Sequence, residues 1–215
     1  MALEASHIRF ALDIKNNLKV EDIKKYVSGT IYPDSRYITK IDRHLTHPQH
    51  LFEVDYSLLD DFMKGCYAHL LYDKLLRKYT LENLSEKFLD IINDKEKETE
   101  LWIRLTALKI LQDIEDTKDY DVLEYLPCLD YVENPNGEAI EILLSYNKFF
   151  QRMYATPQKI SMQNYYDMWH FFGIGDTLLA RVKAQIEEYQ SDTKINEFIK
   201  DVYKRTLDKW REEND

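Results

Sequence analysis

The stretch from residue 60 to residue 76 carries ionisable side chains on the face that a helix would bury. At helical spacing, one stripe consists of Leu58, Phe62, Gly65, His69, Asp73 and Leu76. A buried carboxylate is costly unless a positive charge compensates it. Since His69 and Asp73 are four residues apart, they project from consecutive turns and can hold a cation between them. The alternative for this motif is a His–Asp hydrogen bond inside a core. Gly65, one turn before His69, allows another backbone or a ligand to approach.

The remainder of the chain is also helical in pattern. Apolar residues recur at spacings of three and four up to the C-terminus, and neither an alternating strand pattern nor a repeat of fixed period occurs. Only five glycines and five prolines are present in 215 residues, which is low for a protein rich in strands and loops. We therefore expect an all-α fold, with residues 1–215 forming a single multi-helix domain.

Charge and composition exclude several classes of function. The net charge is −10 and the isoelectric point is near 5.1, which argues against general binding of nucleic acid. No apolar run reaches the roughly 18 residues of a membrane span, and the N-terminus has no signal-peptide pattern. Two cysteines are too few for a disulfide framework. These features predict a soluble, cytoplasmic protein without a membrane span.

The histidines are concentrated near the N-terminus. Five of the six lie in the first 69 residues: His7, His44, His47, His50 and His69. Neutral imidazole is the commonest ligand of zinc-like ions, so this bias indicates a metal site. His7 falls on the apolar stripe of a predicted first helix, residues 2–16, where a lone histidine is more often an ordinary core residue. His170, by contrast, is expected to pack among aromatic side chains.

A glycine and a proline bracket the segment that contains Asp34. Gly29 is expected to end a short helix, residues 20–27, as its C-cap. Pro33 is expected to impose an extended or turn conformation on the residue before it. Asp34 would then be presented from irregular backbone, where functional side chains often lie.

Together these motifs resemble the zinc-dependent phospholipase C family, whose helical fold is related to the S1/P1-type nucleases. The matching elements are His7, the turn at 29–34, the pair Thr46-His47, and the helix motif at 65–73. The order of the family's ligands is the same: an early His, an Asp after a turn, a His about a dozen residues later, and His-x-x-x-Asp. The resemblance covers roughly the first eighty residues.

The resemblance implies a metal site built from these eighty residues. It implies a first ion, most often zinc, whose ligands are Asp34, His47, His69 and Asp73. A second ion would be held by His7 and bridged by Asp73. The further His…His-x-x-x-Glu group of secreted members is missing, so one or two ions are expected. His44 competes with His47, which fits the family spacing better, and iron or manganese could replace zinc.

Such a site would suit a phosphoesterase. A divalent ion lowers the pKa of bound water to about 7 and provides a hydroxide nucleophile. Asp34, beside the metal, could double as a general base. Arg36, Lys40 and Arg43 lie close in sequence and could bind the phosphate of a small substrate, although a solvated basic patch explains them equally well.

Two other functions fit the same residues. The protein could be a non-catalytic helical protein whose metal ion is structural and closed off by protein ligands. It could also be a helical interaction module in which the histidines and aspartates are ordinary buried polar residues. An open coordination position beside a pocket would favour the hydrolase.

Overall fold

Ten α-helices follow one another in the computed structural model, which describes residues 3–88, 94, 97–156 and 160–214; these residues form no strand. The helices are α1 (Glu4–Ile14), α2 (Ile23–Ile31), α3 (Arg36–Thr39), α4 (Arg43–Thr46), α5 (Asp61–Leu84), α6 (Glu98–Asp119), α7 (Ile140–Met153), α8 (Met162–Phe171), α9 (Asp176–Ser191) and α10 (Thr193–Asn214). Short 3₁₀ segments occupy Tyr32–Ser35, Gln49–Phe52, Tyr56–Leu58, Ser85–Lys87 and Leu123–Asp130. The expected all-α fold is confirmed.

Aspartate side chains cap the helices that surround the site. Asp22 accepts hydrogen bonds from the backbone N–H groups of Lys24 and Lys25 at the start of α2. Asp60 accepts one from the backbone N–H of Met63 at the start of α5. Each carboxylate satisfies backbone donors that have no partner inside the helix. The cap at Asp22 places the second helix three residues later than the apolar pattern suggested.

Gly29 and Gly65 form the closest contact between helices α2 and α5. A Cβ atom on Gly65 would lie 2.1 Å from the carbonyl oxygen of Tyr26, and one on Gly29 would lie 2.0 Å from that of Phe62. Both distances are far below van der Waals contact, so only glycine permits this approach. The expectation that Gly29 ends its helix was wrong, because it lies inside α2 and makes room for α5.

The chain also stays helical through Pro33. Tyr32, the residue before this proline, has φ −54° and ψ −42°, and the 3₁₀ segment Tyr32–Ser35 continues directly from α2. Proline fits at the start of such a segment because its missing N–H is not needed there. Asp34 is therefore presented from a 3₁₀ turn rather than from irregular backbone, which corrects the expectation.

Helix α1 packs against α5, as the buried stripe of α1 required. The rings of His7 and His69 are stacked with their centroids 3.7 Å apart, and those of Phe10 and Tyr72 stack at 4.7 Å. Leu58, at the other end of the α5 stripe, is 79% exposed. The expectation that Leu58 belongs to the stripe of this helix was wrong, because α5 begins only after its cap and Leu58 lies in the preceding 3₁₀ segment.

One main core joins the two ends of the chain into a single domain. It contains buried side chains from Leu3 in the N-terminal segment to Trp210 in α10. Across this core, Asp113 of α6 accepts hydrogen bonds from the backbone N–H of Ser6 and the hydroxyl groups of Tyr154 and Tyr165. These bonds satisfy a carboxylate that burial would otherwise penalise.

The helices in the described part of the chain were also compared with the requirements of a membrane span. None of them combines the length and the apolarity needed to cross a bilayer.

We expect the substitution Gly65→Ala to destabilise the fold strongly. The added methyl group would overlap backbone atoms of α2, which cannot move aside as a side chain can, so we expect a loss of about 2 kcal/mol or more in the free energy of unfolding. Denaturant unfolding measures this. The control is Gly175→Ala, whose new Cβ meets nothing within 4 Å; similar losses for both variants would contradict the close-contact account.

Candidate metal centre

Four separate segments bring five ionisable side chains together. His7 comes from α1, Asp34 from the 3₁₀ segment after α2, and His47 from the residue after α4. His69 and Asp73 lie one turn apart on α5. We call this group the histidine–aspartate cluster. Its five members are the residues that the sequence indicated as metal ligands.

His69 lies at the centre of the cluster with a fixed orientation. It is 1% exposed, and its Nδ1 lies 2.9 Å from the carbonyl oxygen of Thr30. A carbonyl can only accept, so Nδ1 carries the proton and Nε2 presents a lone pair. Nε2 is buried and has no hydrogen-bond partner in the described residues. Burial lowers the pKa of His69 to about 4, which keeps the imidazole in the neutral form that binds metals.

His47 presents a second nitrogen of the same kind. Its Nδ1 lies 3.0 Å from the hydroxyl oxygen of Thr46, while its buried Nε2 makes no hydrogen bond in the part of the chain described. Nε2 is 3.6 Å from a carboxylate oxygen of Asp34, too far for a hydrogen bond. Burial lowers the pKa of His47 to about 2. Neutral His47 therefore faces a carboxylate without bonding to it.

His7 and Asp73 face each other as two acceptors. The Nδ1 of His7 lies 3.0 Å from the carbonyl oxygen of Leu3, so the proton is on Nδ1. Its Nε2 is 3.3 Å from Oδ1 of Asp73. Burial and the neighbouring His69 hold the pKa of His7 well below its usual range, which opposes a second proton. A cation at this position would bind the lone pair of Nε2.

Asp34 is held in its ionised form. Burial alone would raise its pKa, but the neighbouring imidazoles and two cations, Lys109 and Arg36, outweigh burial and hold the pKa below its usual range. The Arg36 Nε is 3.9 Å from Oδ1 of Asp34 and makes no hydrogen bond among the described residues. A permanently charged carboxylate beside neutral imidazoles suits a divalent ion.

The cluster contains two overlapping groups that can hold a metal ion. One consists of Asp34, His47 and His69, and the other of His7, His69 and Asp73; within each group the ligand atoms lie within 4.8 Å of one another. His69 belongs to both, but its single free nitrogen can bind only one ion. The nitrogen and oxygen donors fit zinc and other first-row ions, and the arrangement has room for one ion or for two neighbouring ones.

A cleft reaches the cluster from one side. Its volume is about 490 Å³, and its lining residues are Arg43, His47, Gln49, Phe52, Leu70, Asp73, Lys74, Arg77, Lys78 and Leu81. Two cluster members, His47 and Asp73, thus lie at its wall together with four cations. We call it the basic cleft. A small molecule in it would be next to any ion that the cluster holds.

The three cations expected to bind phosphate are placed differently from one another. Arg43 lines the basic cleft. Arg36 lies beside Asp34, and its guanidinium group lies over the ring of Tyr37 at 4.2 Å. Lys40 is exposed and donates to the carbonyl oxygen of Tyr37 at 2.5 Å; it is not among the cleft residues. Only Arg43 is positioned to contact a molecule in the cleft.

Sequence reasoning missed the cations of α5 and α6. Lys74, Arg77 and Lys78 follow Asp73 on the same helix and line the cleft. They lie one, four and five residues after Asp73, and this spacing is a signal in the sequence that could have pointed to them. Lys109, which acts on the pKa of Asp34 and of His7, is remote in sequence, so no local pattern points to it.

The other histidines lie away from the cluster. His44 and His50 are exposed and line a different pocket, on the side of Tyr32 and Cys66. The expectation that His170 packs among aromatic residues was wrong. Its side chain is 46% exposed, and its Nε2 lies 3.3 Å from a carboxylate oxygen of Asp176, because the residue falls on the solvent side of α8.

Glu4 is a buried carboxyl group that sequence reasoning did not single out. It accepts a hydrogen bond from the hydroxyl group of Tyr146 at 2.8 Å, whereas its Oε2 has no hydrogen-bond partner in the described chain. Burial, followed by the nearby charge of Asp34, raises its pKa to about 8. Glu4 is therefore protonated at neutral pH.

Comparisons with protein-family models, with curated proteins and with solved structures find no match to this chain. The geometry of the cluster and of the cleft is therefore the basis for assigning a function.

We expect divalent ions to stabilise the protein through the cluster. A ligand that binds only the folded state at 100 times its Kd adds about 2.7 kcal/mol, which for a chain of this size is a rise of several degrees in melting temperature. The measurement is thermal unfolding of metal-stripped protein with and without added zinc or manganese. His69→Ala should abolish the rise and the exposed control His170→Ala should keep it; equal shifts in both variants would place the ion elsewhere.

The raised pKa of Glu4 predicts that the free energy of unfolding depends on pH. The folded state keeps the Glu4 proton up to about pH 8, whereas the unfolded chain releases it near the ordinary glutamate pKa of 4.5. Since the folded state binds more protons across this interval, stability falls as the pH rises through it. Glu4→Gln cannot ionise and should flatten the fall, while the exposed Glu141→Gln should not. Urea unfolding at several pH values measures this, and parallel profiles for wild type and Glu4→Gln would refute it.

Proposed function

We propose that the protein is a metal-dependent hydrolase that acts on phosphate esters. The observation that carries the proposal is a pair of buried imidazole nitrogens, on His47 and His69, that have no hydrogen-bond partner in the described residues and lie close to the carboxylates of Asp34 and Asp73. Buried polar atoms without partners are rare and require an explanation. A bound ion supplies one, and the basic cleft supplies a place for an anionic substrate.

The ligand set divides between two positions. Asp34, His47 and His69 form the first, and His7 with Asp73 forms the second, with Asp73 able to bridge because it lies within 4.8 Å of the His69 donor. Zinc suits the first position best, since it accepts imidazole and carboxylate ligands in four-coordinate sites. Manganese and iron accept the same donors.

When bound, such an ion would activate a water molecule and polarise a phosphoryl oxygen, as divalent ions do in hydrolases. The chain's own residues would do the rest. Arg43, at the cleft wall, would neutralise charge on the phosphate. Asp34 has a lowered pKa, which suits a permanent ligand better than a proton acceptor near neutral pH. We therefore assign Asp34 first to the ion and only second to general-base catalysis.

The resemblance to the zinc-dependent phospholipase C family supports the same reaction. The five cluster residues are the positions that the resemblance marks as ligands, and they are contributed by helices in an all-α fold. We propose a relationship in fold and chemistry that is limited to the first eighty residues. The missing His…His-x-x-x-Glu group restricts the site to one or two ions.

A closed structural ion is the second candidate function. His7 and His69 are each 1% exposed, as expected for ligands of a structural site. The basic cleft favours catalysis, because it brings His47 and Asp73 to a surface that a substrate can reach. The interaction-module alternative leaves the unpartnered nitrogens unexplained.

Asp73→Asn tests the reaction. The substitution roughly preserves shape but removes a negative ligand, so we expect bound metal and hydrolysis of generic phosphomonoesters or phosphodiesters to fall together, the rate by about tenfold or more. The control is Asp176→Asn, whose side chain is 95% exposed. Metal content and hydrolysis rate are measured on the same samples with added zinc, manganese or iron.

Two results would contradict the proposal. Equal background rates in wild type and Asp73→Asn, with metal confirmed in the wild type, would support the structural ion instead. Absence of metal binding by the wild type under all these conditions would remove both metal functions.

A further inference from the structure

The basic cleft contains more positive charge than one phosphate group requires. Arg43, Arg77 and Lys78 line it, and none of them forms an ion pair with a carboxylate in the described residues. Lys74 lies over the ring of Phe52 at 4.5 Å. The chain as a whole carries a net charge of −10, so this cluster is a local positive patch on an acidic protein. An unpaired cluster of cations at a cleft indicates an anionic ligand with several charges.

Arg77 and Lys78 lie farther along α5 than Asp73, the last of the candidate metal ligands on that helix. An α-helix rises about 1.5 Å per residue, so Arg77 is about 6 Å beyond Asp73 on the helix axis, one turn farther along the same face. Arg43 is contributed by α4, which also borders the cleft. The cleft therefore has a metal end, at His47 and Asp73, and a cationic end one helical turn away.

Mutual repulsion among the cations supports a ligand at the cationic end. Partial burial, then the charge of Arg36 and least of all that of Arg77, lower the pKa of Arg43, while Asp34 and Tyr37 act in the opposite direction. An anion between Arg43 and Arg77 would relieve this repulsion. Guanidinium groups bind phosphate oxygens in pairs of parallel hydrogen bonds, which gives such a site geometric preference as well as charge.

We propose that the substrate carries two phosphoryl groups, one at the histidine–aspartate cluster, next to Arg43, and the other bound by Arg77 and Lys78. This inference rests on the proposed function for the position of the first phosphate. The second position requires only the cations. Diphosphate esters are the substrate class that fits, and the apolar wall formed by Phe52, Leu70 and Leu81 would contact the organic part of the ester.

The test compares two non-hydrolysable probes, methylenediphosphonate and methylphosphonate, which differ in the second phosphoryl group. Calorimetry with zinc-loaded, full-length protein measures both affinities without turnover, and the zinc content of the protein is measured after each titration to exclude removal of the ion by the probe. Wild type should bind methylenediphosphonate at least about tenfold more tightly than methylphosphonate. Equal affinities for the two probes would overturn the proposal.

A double variant locates the second position. Arg77→Gln with Lys78→Gln should weaken methylenediphosphonate binding about tenfold and methylphosphonate binding less than about threefold. The control, Lys148→Gln with Arg152→Gln, makes the same change in net charge on exposed positions of α7 and should leave both affinities unchanged. Equal losses in the two double variants would show that only general electrostatics is at work, and the proposal would fall.

The two proposals fail in different experiments. Because the calorimetry needs no turnover, equal affinities in protein that still holds its zinc remove the second phosphate position alone. Equal hydrolysis by wild type and Asp73→Asn removes the hydrolase alone.

Discussion

The contact between Gly29 and Gly65 is the constraint on which the site depends. It brings the backbones of α2 and α5 so close that a Cβ on either glycine would overlap carbonyl atoms of the other helix. At this separation the carbonyl oxygen of Thr30 reaches Nδ1 of His69 at 2.9 Å. The same bond fixes the tautomer and aims Nε2 at Asp34, which lies one turn beyond Thr30. A backbone contact without side chains thereby orients the central member of the cluster.

Electrostatics explains why this arrangement calls for a cation. Three imidazoles that burial keeps neutral lie beside two carboxylates. Each buried polar atom left without a partner costs about 1–3 kcal/mol, and His47 and His69 each have one such nitrogen. Additional protons on the imidazoles would reduce this cost, but burial opposes charged imidazoles. A divalent ion would bind the nitrogens and the carboxylates at once, which is why we propose one for the cluster.

Much of this could be predicted from local sequence patterns. Helical spacing was enough to predict the all-α fold and the burial of one face of α1, because an apolar stripe must be buried against a partner. The resemblance to a known family, drawn from residue type and order, selected the five members of the cluster. The pattern failed where a tertiary contact or a cap decided the outcome. Glycine is the residue type most typical of a helix C-cap, so the sequence favoured that role for Gly29. Only the position of α5 shows that Gly29 is a contact residue inside α2.

The cleft shows the limit of such patterns in a different way. Lys40 was favoured by closeness in sequence to Asp34, but its backbone has a left-handed φ of 60° and its side chain bonds to a neighbouring carbonyl oxygen. Arg77 was not singled out, although it lies four residues after Asp73. It gains its significance from Arg43, which is contributed by a different segment and lines the same cleft. Arg77 lines the cleft and Lys40 does not, and this difference in position cannot be seen in the sequence.

The most direct test of the central claim is anomalous diffraction from crystals grown with zinc and measured on both sides of the zinc absorption edge. The account predicts an anomalous peak at about 2.0–2.2 Å from Nε2 of His69, Nε2 of His47 and a carboxylate oxygen of Asp34. A second peak between His7 and Asp73 would identify a two-ion site. Two results would contradict the account. One is zinc at full occupancy elsewhere in the protein and none at the cluster; the other is the ammonium group of Lys109 at the position predicted for the ion.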